Sequence, residues 1–383
     1  MSHALLSASG AHRWLSCTPS AKLEEQFPDS TSTYAEEGTL AHELCEIKVN
    51  KALLGMPTKT YNSTLKKIKG NDLYQTEMDK YTDEYLDYIL EKVHSFDSPP
   101  TVIVEKKVDF SSYVPEGFGT ADCIILGDGE LHIVDFKYGK GVEVSAENNP
   151  QMMLYALGAY LEYSFLFQIE AVKMTIVQPR IGNISEYSML VEELLEWSEL
   201  TVKPRAQMAW NGEGDYVAGD HCKFCRAKAS CRERARKNLE AENFELKEGP
   251  LLSLEEIGEA LKKAIDLAKW AEDLKEYALA ESLKGNDIPG WKAVEGRGSR
   301  NFTDNDLAIK KLKEAGIAEE LLYERKQYTL AQIEKMVGTK EFKKIVGDLV
   351  VKNPGKPTLV VNTDKREKIT NKVTAAEDFA DEI

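Results

Sequence analysis

Asp122, Asp135 and Lys137 are the residues of this chain whose types and spacing first promise chemistry. They fall between Gly117 and Gly141, where two apolar, β-branched runs flank a Gly127-Asp128-Gly129 turn and predict a β-hairpin. Asp122 lies at the start of the first strand, and Asp135 and Lys137 lie at the end of the second, so antiparallel pairing brings all three to one end. Asp135 and Lys137 are two apart and share a face. Two converging carboxylates repel one another unless a divalent cation lies between them, and Mg²⁺ or Mn²⁺ suits oxygen donors. A lysine beside such a pair orients an activated water and offsets charge developing on a phosphate. That is the equipment of a metal-dependent phosphodiesterase. Taken alone, D…D-x-K also describes a hairpin end with solvated charges.

A second constellation is sulfur. Of six cysteines, Cys222, Cys225 and Cys231 crowd into one segment with the spacing C-x₂-C-x₅-C, a thiolate metal-site signature. Three ligands want a fourth, and Cys17 is the natural one. Tetrahedral Zn²⁺ and a [4Fe–4S] cluster both take four cysteines, so the spacing leaves both open. Cys45 and Cys123 sit within regular apolar patterns and are expected as buried core thiols.

The elements that must position these groups are legible in outline. Ser7 opens a short helix that stops at Cys17, before Pro19. A helix beginning near Tyr34 carries an apolar stripe of Leu40, Leu44 and Ile47, with His42 away from its centre. Leu73 to His94 reads as a core-packing helix with Tyr81, Tyr85, Tyr88 and Ile89 at helical spacing. After Pro99-Pro100, Val102 to Phe110 reads as a strand with Glu105 in its middle, either a further ligand or a salt-bridged edge residue. Pro150 suits the first turn of a helix on which Gln151 and Tyr155, four apart, share a face. Strands near 172–178 and 184–190 and a helix from Glu192 to about Trp210 complete an α/β arrangement, a mixed sheet flanked by helices.

Residues 1–240 are therefore expected as one domain, 251–285 as a helical connector and 286–365 as a small C-terminal α+β extension. Within the extension, short helices are expected near 304–315 and 330–337. Residues 366–383 are polar and are expected as a disordered tail. The Gly-rich pieces at 296–300 and 352–357 lack Walker spacing and are not phosphate loops. With 383 residues there is room for a substantial core. The net charge of −15 counts against a protein that coats nucleic acid, though not against an enzyme with a small basic groove. No apolar run approaches membrane-spanning length and the N-terminus lacks a signal-peptide pattern, so no membrane association and a cytoplasmic location are expected.

Taken in order, Gly38…His42, Glu105, Gly119-x-x-Asp122, Asp135-Phe136-Lys137 and Gln151-x-x-x-Tyr155 resemble the RecB-like branch of the PD-(D/E)XK nucleases. Cys17 with Cys222, Cys225 and Cys231 resembles the iron–sulfur staple of the AddB-type and CRISPR-adaptation members of that branch. The likeness covers roughly residues 5–240, and the C-terminal part is similar to the tail of a phage and prophage family of such nucleases. The resemblance implies a restriction-endonuclease-like core in which His42, Asp122, Asp135 and the Phe136 carbonyl ligate catalytic Mg²⁺ or Mn²⁺. Lys137 would then activate or position the attacking water, with Glu105 an additional acidic position. Gln151 and Tyr155 would orient the lysine, the metal shell or the DNA backbone. It further implies a [4Fe–4S] cluster on the four cysteines, with Zn²⁺ the alternative.

The expected function is thus a DNA nuclease, an exonuclease or end-processing enzyme of phage recombination or replication, working in the host cytoplasm if phage-encoded. DNA, at duplex ends, is the expected partner, with a single-strand annealing protein, a single-strand binding protein or a helicase as protein partners. The principal rival is a catalytically silent DNA-binding adaptor. Action on RNA and mimicry of DNA by an acidic protein are further alternatives.

Overall fold

A computed structural model describes residues 4–28, 33–239, 253–294, 305–314, 322, 330–346 and 349–350. The chain divides into two compact units, Met1–Val294 and Glu295–Ile383.

The first unit opens with two short helices, α1 (Ala11–Ser16) and α2 (Ser20–Glu24). Ser7 caps a single 3₁₀ turn ahead of α1, its hydroxyl accepting from the Gly10 N–H. Three longer helices follow, α3 (Thr33–Leu53), α4 (Thr58–Lys69) and α5 (Thr76–His94). A five-stranded sheet then forms from β1 (Thr101–Asp109), β2 (Phe118–Gly127), β3 (Glu130–Phe136), β4 (Ala171–Gln178) and β5 (Asn183–Leu190), in that spatial order. β3 and β4 run parallel and the other neighbours are antiparallel, so the sheet is mixed. The parallel pair needs a crossover, which α6 (Pro150–Tyr163) supplies. Asn149 caps α6 by accepting from the N–H groups of Gln151 and Met152, with Pro150 at a first-turn position where a missing N–H costs nothing.

Two apolar layers sandwich the sheet. On one face α6 packs with α1 and the C-terminal helices α7 (Val191–Trp197) and α8 (Lys203–Asn211), burying Val108, Ala121, Ile124, Leu131, Ile133 and Ile176. On the other face α3, α4 and α5 cover Cys123, Ile125, Val134, Phe136 and Val177. Full burial of each such side chain contributes about 1.5–3 kcal/mol relative to exposure. A π-helical segment, Ser198–Val202, joins α7 to α8 just before Pro204, whose ring removes a helix N–H donor.

The strands do not keep one facing throughout. On β1, Val102 and Val104 face the α3–α5 layer while Val108 and Lys106, which pairs with Glu162 of α6, face the other. On β2, Cys123 and Ile125 face α3–α5 while Ala121 faces α6. Both strands therefore change face at the same level, where the ladder skips from Val104↔Cys123 to Lys106↔Ala121. The skipped pair is Glu105 and Asp122, and Glu105 takes a left-handed φ of 49°.

After α8 come α9 (Arg232–Leu239) and the thirty-residue α10 (Leu254–Leu283), capped by a Ser253–Glu256 box. The described part of the second unit consists of α11 (Asn305–Glu314), α12 (Leu330–Val337) and α13 (Thr339–Val346). α13 had no counterpart in the sequence reading. The strands expected in the C-terminal extension, both Gly-rich pieces and the tail from 366 lie outside the described residues. No described helix is long and apolar enough to cross a membrane.

Candidate metal centre and cysteine cavity

The acidic site is assembled at the level where β1 and β2 change face. β2 and β3 pair antiparallel with Cys123 opposite Val134, which sets Asp122 across from Asp135. The Phe136 N–H donates to Asp122 Oδ2 at 2.7 Å and fixes that carboxylate against β3. α3 delivers His42, whose Nδ1 lies 3.3 Å from Asp122 Oδ1. The imidazole packs edge-on against the Phe136 ring at 5.4 Å, and Phe136 in turn meets Tyr85 of α5 at 5.1 Å. Glu105 completes the group: one donor atom each from His42, Glu105 and Asp122 lies within 4.8 Å of the others, a spacing compatible with a shared cation.

Asp135 stands slightly apart. Its buried Oδ2 is ion-paired with Lys137 Nζ at 2.9 Å. Lys137 Nζ reaches Gln151 Oε1 at 3.4 Å, and Gln151 Nε2 donates to the Tyr155 hydroxyl at 3.0 Å. α6 thus braces the lysine through a chain of two side chains. Gly119 makes room for this bracing, because a Cβ there would lie 2.5 Å from the Tyr155 ring and 3.2 Å from Ala8.

The electrostatics are those of crowded, buried charge. Burial drives the Glu105 carboxyl up to about 7, with Asp122 adding repulsion. Burial likewise raises Asp135, against the pull of Lys137. Burial opposes charge on His42, yet Asp122 and Asp135 raise the ring to about 9. Asp122 stays below the usual carboxylate range despite its burial, held there by His42, Lys137 and the Phe136 N–H. Lys137 is raised in spite of burial by its two aspartate neighbours.

The second constellation also converges. Cys17, at the C-terminus of α1, and Cys222, Cys225 and Cys231 line one cavity, together with Arg13, His221, Lys228 and Arg234. Among the described residues no three sulfurs come within 4.8 Å of one another, so they ring the cavity without closing on its centre. All four are free thiols. The Val217 N–H points at Cys17 Sγ from 3.5 Å and the Gly219 N–H at Cys222 Sγ from 3.4 Å. Burial, aided by Glu24, pushes the Cys225 thiol up to about 12, so ligation there would displace a proton. Cys45 and Cys123 are buried in the α3–α5 layer.

Across residues 3–367 the sequence matches the family described as "Protein of unknown function (DUF2800)". The chain belongs to the DUF2800 family. A solved structure titled "Crystal structure of SSO0001" is similar at 14% identity, covering 60% of this chain and 85% of that chain with a TM-score of 0.27, a level that carries no weight for fold or chemistry.

In this DUF2800 chain the structure brings His42, Glu105, Asp122, Asp135, Phe136, Lys137, Gln151 and Tyr155 to one place, and the four cysteines to another. The Phe136 N–H holds Asp122, while its carbonyl is the atom expected on the metal. Sequence reasoning missed Arg13, His221 and Lys228 around the cysteines. His221 adjoins Cys222 and Arg13 stands one helical turn before Cys17, and that proximity was the available signal.

Proposed function

We propose that the first unit is a metal-dependent phosphodiesterase acting on DNA, built on a PD-(D/E)XK-type core. The observation that carries this reading is the meeting of His42, Glu105 and Asp122 beside a buried Asp135–Lys137 ion pair. The donor set of carboxylates and one imidazole fits Mg²⁺ or Mn²⁺, the imidazole favouring Mn²⁺. When bound, such a cation supplies a water of lowered pKa and positive charge for a phosphate oxygen.

The chain's own residues contribute the rest. Asp122 of β2 and Asp135 of β3 would hold the ion, joined by His42 of α3 and Glu105 of β1. Lys137, kept protonated by the aspartates, aligns the attacking water and neutralises charge that grows on the phosphate. Gln151 and Tyr155 keep its ammonium from settling on Asp135 alone. The four cysteines would hold a [4Fe–4S] cluster, with Zn²⁺ the alternative, tying α1 to the segment after residue 220. Duplex ends are the proposed substrate, and a phage recombination or replication system the proposed setting.

Cleavage of linear and closed circular duplex DNA by anaerobically purified protein, with Mn²⁺, Mg²⁺ or EDTA, tests the reading. Loss of linear DNA alone, stopped by EDTA and slowed about 10²–10³-fold by Lys137→Ala, is the expected result. No cleavage of either DNA by folded, cluster-loaded protein would move the reading to a silent DNA-binding adaptor.

A further inference from the structure

The cysteine segment does more than face the first helix. Its far side is the seat of α10. Glu256, Trp270 and Asp273 are the buried residues of that helix, and two of them meet the segment between Cys225 and α9. The Trp270 indole N–H donates to the carbonyl of Ala229, at 3.3 Å. Asp273 receives two cations: Lys228 at 2.9 Å on one oxygen and Arg234 at 2.8 Å on the other. Asp273 is 5% exposed and Arg234 3%, so that pair is buried, with the half-buried Lys228 beside it. Arg234 also donates to the Lys228 carbonyl at 3.0 Å, tying the start of α9 to the same loop.

Lys228 and Arg234 have a second face, since both line the cavity that the four sulfurs surround. Four thiolates gathered around a metal group bring negative charge to walls that already hold Arg13, Lys228 and Arg234. Arg13 is committed to Glu24 of α2 at 2.6 Å, so the two residues free to answer to both sides are those on Asp273. Between Cys222 and Cys231 the backbone is held by one 3₁₀ turn and a run of single turns, Cys225 N–H to Cys222 O and Cys231 N–H to Ala227 O among them. Local turns of this kind fix a loop weakly, whereas ligation of sulfurs distant in sequence fixes it strongly.

We infer that Lys228 and Arg234 form a clamp shared by the four-cysteine site and α10, so that filling the site and docking α10 reinforce each other. Filling sets the Ala229 carbonyl and the two cations where Trp270 and Asp273 need them. By linkage, a docked α10 must retain the group more tightly by the same factor. The helix is thereby a reporter of the state of the metal–sulfur group, and its seat is lost when that group is oxidised away. This rests on the cysteines holding a metal group, as proposed above.

The test uses the full chain, purified anaerobically, with iron, sulfide and zinc determined first. Hydrogen exchange is then followed before and after the group is stripped by oxidant and chelator, and release of the group to chelator is timed in wild type, Asp273→Asn and Trp270→Phe. Stripping should speed exchange across 254–283 about tenfold, an ordinary coupling strength, while β3 stays protected. Both variants should release the group faster by a comparable factor, Trp270→Phe serving if Asp273→Asn fails to fold. Unchanged exchange in α10, or release at the wild-type rate from a folded variant, overturns the clamp while leaving the metal site standing. Protein that carries neither iron nor zinc overturns both. A zinc-loaded protein that shows both couplings upholds the clamp.

Discussion

At the scale of single residues, Glu105 concentrates the case for a cation. It adopts φ of 49° in mid-strand, a conformation costing a non-glycine residue about 1–2 kcal/mol, and it is the point at which β1 turns over. The strain aims one more carboxylate at Asp122, which stability alone would avoid. The sign of its pH dependence follows. Because the folded carboxyl is raised to about 7 from an ordinary value of 4.5, the native state holds a proton that the unfolded chain has lost between those values. Stability therefore falls as pH rises from 4.5 through 7, and the loss is complete above 7. Glu105→Gln should remove that slope: in EDTA at pH 8 the variant should melt above wild type, and with Mn²⁺ the order should reverse. A variant that melts below wild type in EDTA would show that Glu105 is an ordinary ion-pair partner. His42 carries the same sign over a higher window, although here the fold favours the charged form. Its ring, raised to about 9, stabilises the metal-free fold fully below 6.5, and that contribution fades as pH passes through 9. His42→Gln should accordingly narrow its melting deficit against wild type between pH 6.5 and 9.5 in EDTA.

Elements are positioned by packing as much as by pattern, and two glycines in helices separate the effects. Gly158 lets α6 lie close on β1: a Cβ there would meet Val108 Cβ at 2.9 Å and the Asp109 carbonyl at 3.3 Å. Alanine gains about 1 kcal/mol of helix propensity, but overpacking against a paired strand costs about 1–3 kcal/mol. Gly158→Ala should therefore lower the melting temperature by a few degrees. Gly38 in α3 has nothing within 4 Å of its virtual Cβ, so Gly38→Ala should raise it. If both substitutions moved stability the same way, close packing of α6 would not be the reason for Gly158. Most of these elements were readable beforehand. The hairpin turn, the Pro150 start of α6 and the stripe of Leu40, Leu44 and Ile47 are local signals, and local signals set element type. The convergence of His42 with Asp122 was not readable from spacing, because it depends on α3 crossing the sheet; the family resemblance supplied it. The change of face at Glu105 and Asp122 left no trace in an apolar alternation that runs smoothly through Val102, Val104, Cys123 and Ile125. α13 was missed because Thr339–Val346 is short and rich in lysine.

Over the whole molecule, the first turns of the chain and the segment near residue 220 must be held together across the first unit. Noncovalent stitches already do part of this. Thr18 donates to the Glu213 carbonyl at 2.6 Å, the Arg226 N–H donates to Glu24 at 2.8 Å, and Arg205 donates to the Leu15 carbonyl. A cross-link closing a loop of about two hundred residues removes roughly 5 kcal/mol of unfolded-chain entropy in the simplest treatment. Cys17 and Cys222 lie on opposite sides of that loop. If they hold one group, either substitution breaks the same closure. Cys17→Ser and Cys222→Ser should each cost about 2–4 kcal/mol, below the simple figure because a metal group also binds segments of the unfolded chain. The double variant should cost no more than either single one, since residues acting as a unit are not additive. Chemical denaturation of the three variants beside wild type, with iron content measured on each, reads this directly. Additive losses with iron retained in one single variant would mean that the two cysteines act separately. The acidic site should be indifferent to the outcome: with folded fractions normalised, Mn²⁺-dependent cleavage by the serine variants should stay within a few-fold of wild type. Lys137→Ala should lose activity by the oxyanion-type factor of about 10²–10³ with its melting curve in place, which divides the molecule into one site that holds the chain and another that works on the phosphate.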